Sequence, residues 1–329
     1  MSKSVKMKTA IIGLGNIGLL YDIDSNQFFF THTKACMFHN GIELLYGVDP
    51  DKSKRLLFEG ITNKPAYESV DAIDESIKAI DLVILSTPTE FRGSILEQII
   101  SMKPKCILVE KPIAPNLVQA IQIKENCERQ NIYLFVNYFR YFNPGIQNIY
   151  NYFSSGILGD YANGVCYYSG GIANNASHYI SMLLQWFGYP RSIQVVEKYQ
   201  NTSAESNISF KMEFANGDMF FLPLTTNYDI GEIDLFFQNG RIRIENYGEN
   251  VTSFIAKDDR YFKNYKRLVV EDSEIDDPIL EDYQWHVLNT IYEMFSGKRV
   301  WRSNIQNAIE TIKICDEVIF EAQSTTRFA

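Results

Sequence analysis

Short apolar runs bounded by polar turns recur through the first 140 residues. Thr9 to Ile12, Ile42 to Val48, Asp81 to Ser86, Cys106 to Val109 and Ile132 to Val136 are too short and too uniformly apolar for amphipathic helices, and read as buried strands. Between them, Lys52 to Phe58, Arg92 to Met102 and Asn116 to Gln130 read as helices. A further helix is expected directly after the glycine-rich segment Gly13 to Gly18. Strands alternating with helices at this rhythm imply right-handed crossovers and a parallel, doubly wound α/β sheet.

The rhythm changes after about Pro144. A helix, Gly145 to Phe153, leads into β-rich segments: Ala162 to Ser169, Ile193 to Tyr199, Ser206 to Phe214, Met219 to Thr225, Glu232 to Gln238 and Arg241 to Glu245. Asn216-Gly217 and Asn239-Gly240 each separate two such runs, the signature of a hairpin turn. Helices are expected at His178 to Phe187, Asp282 to Ser296 and Ile305 to Ala322, and a charged, exposed excursion at Asp258 to Asp277. The second half is therefore an α+β domain on a largely antiparallel sheet. The pattern divides the chain into residues 1–139 and 140–329.

The chain's 329 residues suit two domains. A net charge of -9 with no basic stripe argues against nucleic acid. No run approaches the ~18 apolar residues of a membrane span. The N-terminus lacks a signal-peptide apolar stretch, and five scattered cysteines read as reduced thiols, so a cytoplasmic protein is expected. The histidines at 32, 39, 178 and 286 are too dispersed for a metal site.

Candidate chemistry begins at Gly13-Leu14-Gly15-Asn16-Ile17-Gly18. The first glycine allows a tight turn, the second lets backbone approach a pyrophosphate, and the third lets helix and strand pack closely. Asp49, at the end of the second strand, is placed to accept from the adenosine ribose hydroxyls. It lies 36 residues beyond Gly13, against a usual offset of about 20. The excess falls in Tyr21 to Thr33, which contains Phe28-Phe29-Phe30 and is expected to form a loop beside the mouth of the site. The acid favours NAD by repelling a 2′-phosphate. Lys52, Lys54 and Arg55 offer that phosphate a partner, so NADP stays open. Asp49 as a simple helix cap is the competing reading.

Lys111, in Glu110-Lys111-Pro112, ends a buried strand on the edge where open parallel sheets bind ligands. Its ammonium suits a substrate hydroxyl, a developing negative charge or a proton relay. Pro112 would hold the chain in a rigid turn, in which a cis bond is one form.

These motifs, with Thr87-Pro88-Thr89, Asn137 to Pro144, and Gly170-Gly171 followed by His178, make the chain resemble the Gfo/Idh/MocA family. The resemblance covers nearly the whole chain. It implies a Rossmann domain, a C-terminal domain on an open sheet, NAD(P)-linked chemistry on sugars or cyclitols, and homodimers or homotetramers formed through that sheet. Cofactor contacts are implied for Gly13, Gly15, Asn16, Ile17, Gly18, Asp49, Thr87, Pro88, Glu110 and Lys111, and catalysis for Lys111. Where the family pattern has two carboxylates flanking a histidine, this chain has Asn174, His178 and Ser181. His178 is then the second proton-handling residue, and Asn174 an amide that orients a hydroxyl.

Arg92 stands where relatives often have histidine, and would pair with a substrate carboxylate or phosphate; a solvent-facing arginine is the bland alternative. Tyr138, Arg140 and Asn175 are further expected substrate contacts, with Tyr167, Tyr168 and His286 as weaker ones. The loss of both carboxylates keeps two other functions open. One is an enzyme whose tightly held NAD oxidises a sugar only transiently, for elimination or glycoside cleavage. The other is a non-catalytic NAD-binding regulator.

Overall fold

The computed structural model describes residues 5–25, 28–74, 77, 79–199, 207–271, 280–300 and 302–325. Its first sheet is built from the apolar runs. β1 (Met7–Ile12) pairs in parallel with β2 (Ile42–Val48) and β4 (Leu82–Leu85), and β5 (Cys106–Val109) lies between β4 and β6 (Tyr133–Val136). The two-residue β3 (Ala66–Tyr67) completes the order β3-β2-β1-β4-β5-β6. Every residue of β4 and β5 is buried, as expected for a parallel sheet covered on both faces.

The helices are α1 (His32–Phe38), α2 (Lys52–Thr62), α3 (Arg92–Ser101) and α4 (Leu117–Arg129). Short polar side chains set several starts by accepting an otherwise unpaired backbone N–H: Asp51 caps α2, Asn116 caps α4, and Thr31 caps α1. No full helix follows the glycine segment. One π turn, Asn16–Leu20, ends there, and the chain makes its excursion before α1 begins at His32.

The second sheet follows α5 (Pro144–Ser154). Its strands are β7 (Tyr161–Tyr168), β8 (Ser192–Tyr199), β9 (Asn207–Phe214), β10 (Gly217–Pro223), β11 (Gly231–Phe237), β12 (Gly240–Glu245), β13 (Asn250–Asp258) and β14 (Lys266–Val270), with α6 (Ser177–Phe187) between β7 and β8. The order is β14-β13-β12-β11-β7-β10-β9-β8, antiparallel except for β7 against β10. One face is apolar: Cys166, Phe210, Met212, Phe221, Ile233 and Ile242 pack with Ile149 and Phe153 of α5 and Ile180 and Leu183 of α6. The excursion expected from Asp258 is in part the β13–β14 hairpin; Asp272 to Asp277 lie outside the described residues, as does Ser206.

Two compact units result. One is Met1–Phe142 with Glu281–Ile309, the other Asn143–Leu280 with Glu310–Ala329. A single cut between 139 and 140 does not describe them, because α7 (Tyr283–Phe295) returns to the first sheet. Its Val287, Leu288, Ile291 and Met294 join the core of β1, β4 and β5. Tyr283 packs in a tilted arrangement against Phe139, with ring centroids 4.6 Å apart. Asn304, just before α8 (Ile305–Thr325), accepts from Val136 N (2.9 Å) and donates to Val136 O (2.8 Å).

Candidate functional site

The C-terminal edge of the parallel sheet gathers most of the expected site residues. At the end of β1, Gly13 adopts a positive φ of 96° and donates to Val48 O (2.8 Å). The π turn makes its first bonds from Leu19 and Leu20 to Gly15 O, so the N–H groups of Asn16, Ile17 and Gly18 open it. Gly18 lies so close to Gly13 that a Cβ on it would sit 2.1 Å from Gly13 O, whereas a Cβ on Gly15 would meet nothing within 4 Å. Open space over unpaired donors, on a tightly packed turn, fits a dinucleotide pyrophosphate.

Asp49 is buried and is not a helix cap, a role that falls to Asp51. Its Oδ2 accepts from Leu14 N (2.8 Å) and its Oδ1 from Asp51 N (2.9 Å), fixing the carboxylate beside the glycine turn. Arg55 Nη1 donates to Asp49 O and Pro50 O (both 2.8 Å), and Lys54 Nζ lies 3.8 Å from Asp49 Oδ2. Two of the three cations that could have received a 2′-phosphate are thus turned toward Asp49 or its own backbone, while Lys52 stays exposed.

Beyond β4, Ser86 Oγ donates to Gly13 O (2.7 Å), and the buried hydroxyl of Thr87 has no hydrogen-bond partner among the described residues. Arg92 corrects the expectation attached to it. It is buried rather than facing a substrate or solvent, with Nε donating to Thr87 O (2.9 Å) and Nη1 donating to Glu110 O (2.6 Å) and to Pro112 O. The guanidinium is a clamp between the β4 and β5 loops, with backbone carbonyls where a substrate anion was expected. Between the two β5 carbonyls sits the half-buried Lys111, followed by a cis bond to Pro112.

Glu110 lies in a polar cluster that sequence reasoning missed. Its Oε1 accepts from His32 Nε2 (2.9 Å) and Asn137 Nδ2 (2.6 Å), and Asn137 Nδ2 also reaches Gln284 Oε1 (3.1 Å). Burial pushes the carboxyl up, but His32, the Asn137 hydrogen bond and the Arg92 charge outweigh it and hold the carboxyl below its ordinary value. No local signal marks His32 or Gln284, which lie 78 residues before Glu110 and 147 beyond Asn137.

The remaining expected contacts divide. Tyr138 and Arg140 are buried, the guanidinium 4.6 Å over the Phe139 ring. Within the second unit, Gly170 and Gly171 take positive φ and lead into a second π turn, Ile172–Ala176. That turn exposes Asn174, while Asn175 Nδ2 donates back to Ser169 O (2.8 Å), so one donor of its amide serves the turn itself. His178 is buried in the first turn of α6 and Ser181 is buried one turn on. Tyr168 is fully buried and does not make the substrate contact expected of it. Its hydroxyl lies in the sheet, donating to Ile208 O (2.7 Å) and accepting from Ile208 N (3.0 Å).

His286 belongs to an aromatic cluster with Trp285, which in turn packs against His39. Burial lowers the pKa of His286 against the pull of Asp282, and that of His39 against its Asn289 hydrogen bond. His39 Nδ1 accepts from Gly41 N (3.1 Å), a bond that protonation would break. Below the ordinary histidine pKa of about 6.5, the unfolded chain takes up protons that the folded protein resists. Stability is therefore expected to fall as pH drops from about 7 to about 5. Glu110 acts with the same sign lower down: its contribution is present above the ordinary value of 4.5 and lost as pH falls through the depressed one. Thermal denaturation across this range checks the sign, and His286→Phe should flatten the upper part of the slope.

A parallel sheet ordered 3-2-1-4-5-6, with a glycine turn after its first strand and a buried acid after its second, defines a dinucleotide-binding Rossmann domain. Residues 7–138 match the profile of the Gfo/Idh/MocA family, an oxidoreductase family with an NAD-binding Rossmann fold. No curated protein matches the chain in sequence. Among solved structures, an oxidoreductase from Agrobacterium radiobacter in complex with NAD+, L-tartaric acid and magnesium is similar over 98% of both chains, at 16% identity and a TM-score of 0.76. UDP-N-acetylglucosamine 3-dehydrogenase GnnA from Acidithiobacillus ferrooxidans is similar over 98% of this chain and 99% of its own, at 13% identity and a TM-score of 0.78. The WlbA dehydrogenase from Bordetella pertussis, in complex with NADH and UDP-GlcNAcA, is similar over 97% of both chains, at 14% identity and a TM-score of 0.74. At these identities the likeness is one of fold.

Proposed function

We propose that this protein is an NAD-dependent oxidoreductase acting on a hydroxyl- or keto-bearing carbon of a sugar, sugar nucleotide or cyclitol. The observation that carries the reading is the sequence Glu110-Lys111-Pro112 at the end of β5, on the same sheet edge as the glycine turn and Asp49. Bound there, a nicotinamide dinucleotide supplies the two-electron acceptor or donor. The adenosine ribose falls to Asp49 and the pyrophosphate to the N–H groups that open the π turn. With Lys54 and Arg55 turned to Asp49 and its backbone, NAD is preferred to NADP. Lys111 holds the substrate hydroxyl and stabilises the charge that develops as its proton leaves. The family resemblance assigns proton transfer to His178 and ligand orientation to Asn174, and Ser181 adds no second base.

The test is direct. The protein is incubated with NAD+ or NADP+ and a panel of sugars, nucleotide sugars and cyclitols, and the near-ultraviolet absorbance of the reduced nicotinamide is followed. At least one polyol should reduce the cofactor, faster with NAD+. Binding of NAD+ with no turnover across the panel would remove the catalytic part of the reading.

A further inference from the structure

The excursion between the glycine turn and α1 is a built element. Asp22 closes its base: Oδ2 accepts from Phe30 N (2.8 Å) and Thr31 N (2.9 Å), and Oδ1 from the Thr31 hydroxyl (2.7 Å). Tyr283 pins its far side, donating to Phe30 O (3.1 Å) and stacking on the Phe30 ring at 5.8 Å. The first turn of α1 is thereby held, and it delivers two adjacent side chains to two different parts of the sheet edge. Thr33 Oγ1 donates to Gly18 O (2.6 Å), and His32 Nε2 meets Glu110 Oε1 at 2.9 Å. A carboxylate only accepts, so the His32 proton sits on Nε2.

The consequence lies at Glu110. Oε1 takes both His32 and Asn137, while Oε2 accepts from no group among the described residues. One oxygen is anchored and the other is presented. β5 lies three strands from β2 in the order β2-β1-β4-β5, or about 14 Å at ordinary strand spacing. A dinucleotide with its adenosine at Asp49 and its phosphates at Gly13 to Gly18 brings its nicotinamide half, with ribose hydroxyls and a carboxamide as donors, toward β5.

We propose that His32 is a positioning residue for the nicotinamide half of the dinucleotide: it fixes Glu110 so that Oε2 accepts a hydrogen bond from that half. Thr33, next to His32 in the first turn of α1, ties this contact to the phosphate loop. The proposal rests on the dinucleotide reading above.

The experiment compares the affinities of NAD+ and ADP by calorimetry. ADP keeps the adenosine and pyrophosphate but lacks the nicotinamide half. His32→Leu, which keeps bulk without a donor, should weaken NAD+ about tenfold, the scale of one hydrogen bond to a charged group, and leave ADP unchanged. His32→Gln, which restores an N–H donor, should recover most of the NAD+ affinity. In a Glu110→Gln background, His32→Leu should add no further loss. Equal losses for both ligands, or no loss for NAD+, would overturn the role of His32. If His32→Leu does not fold, Glu110→Gln alone decides, since it must weaken NAD+ and spare ADP. A wild-type protein that binds neither ligand refutes the dinucleotide reading itself, and the proposal with it.

Discussion

Lys111→Ala is expected to lower kcat by about 10²- to 10⁴-fold, the usual contribution of a positioned proton-handling group, a far larger change than in NAD+ affinity, while Tm stays near wild type. The separation of effects follows from how the residue is held. Val109 ends β5 fully buried, and the Arg92 guanidinium grips the carbonyls of Glu110 and Pro112 on either side of Lys111. The backbone path therefore does not depend on the lysine side chain, and truncation removes an ammonium without releasing the loop. Lys111→Arg should not restore the rate, because a planar guanidinium neither occupies the same point nor releases a proton at working pH. Steady-state kinetics at saturating substrate, with calorimetry for NAD+, read both quantities. Full turnover by the alanine variant would remove Lys111 from the chemistry.

Gly18→Ala is expected to reduce dinucleotide binding by about 100-fold or more, on the scale of about 3 kcal/mol, and to lower Tm as well. The added Cβ would lie 2.1 Å from Gly13 O and 3.0 Å from Ser86 Oγ. Neither neighbour is free to yield: Gly13 N donates to Val48 O, Ser86 Oγ donates to Gly13 O, and Thr33 Oγ1 holds Gly18 O. The turn must open, and overpacking of this kind costs about 1–3 kcal/mol of stability. Gly15→Ala is the control. Gly15 has φ −77° and clear space around its Cβ direction, so the fold should accept alanine with no change in Tm. Dinucleotide affinity should still fall, because the methyl would occupy the space left open for the pyrophosphate. Equal NAD+ affinity in Gly15→Ala and wild type would mean that the phosphates lie elsewhere.

The parts of this protein that could be read from its sequence are those specified within a few residues. Short, mostly apolar runs forecast the parallel strands because burial on both faces leaves few polar positions. The two Asn-Gly pairs forecast hairpins because the turn itself demands those residues. Gly13 to Gly18 and Glu110-Lys111-Pro112 were legible as candidate chemistry for the same reason. The edge strand β14, Lys266–Val270, was not, since it is largely exposed and shows no alternation; its partner β13 supplies its hydrogen bonds. The helix expected after Gly18 was displaced by an excursion whose closure depends on Asp22 and on Tyr283, far along the chain.

By itself the sequence determined the two sheet types, the glycine turn, and the placement of an acid and a lysine at strand ends, all of which follow from local pattern. Tertiary structure alone decided three things. Arg92 points inward as a clamp because three carbonyls from two loops converge on it. Segment 281–309 belongs with the first sheet because the apolar face of α7 finds its complement there. Glu110 has a buried histidine partner because a strap anchored at Asp22 carries His32 across the sheet edge. Each depends on groups tens to hundreds of residues apart, whose meeting is set by packing of the whole unit and leaves no periodic trace in the chain.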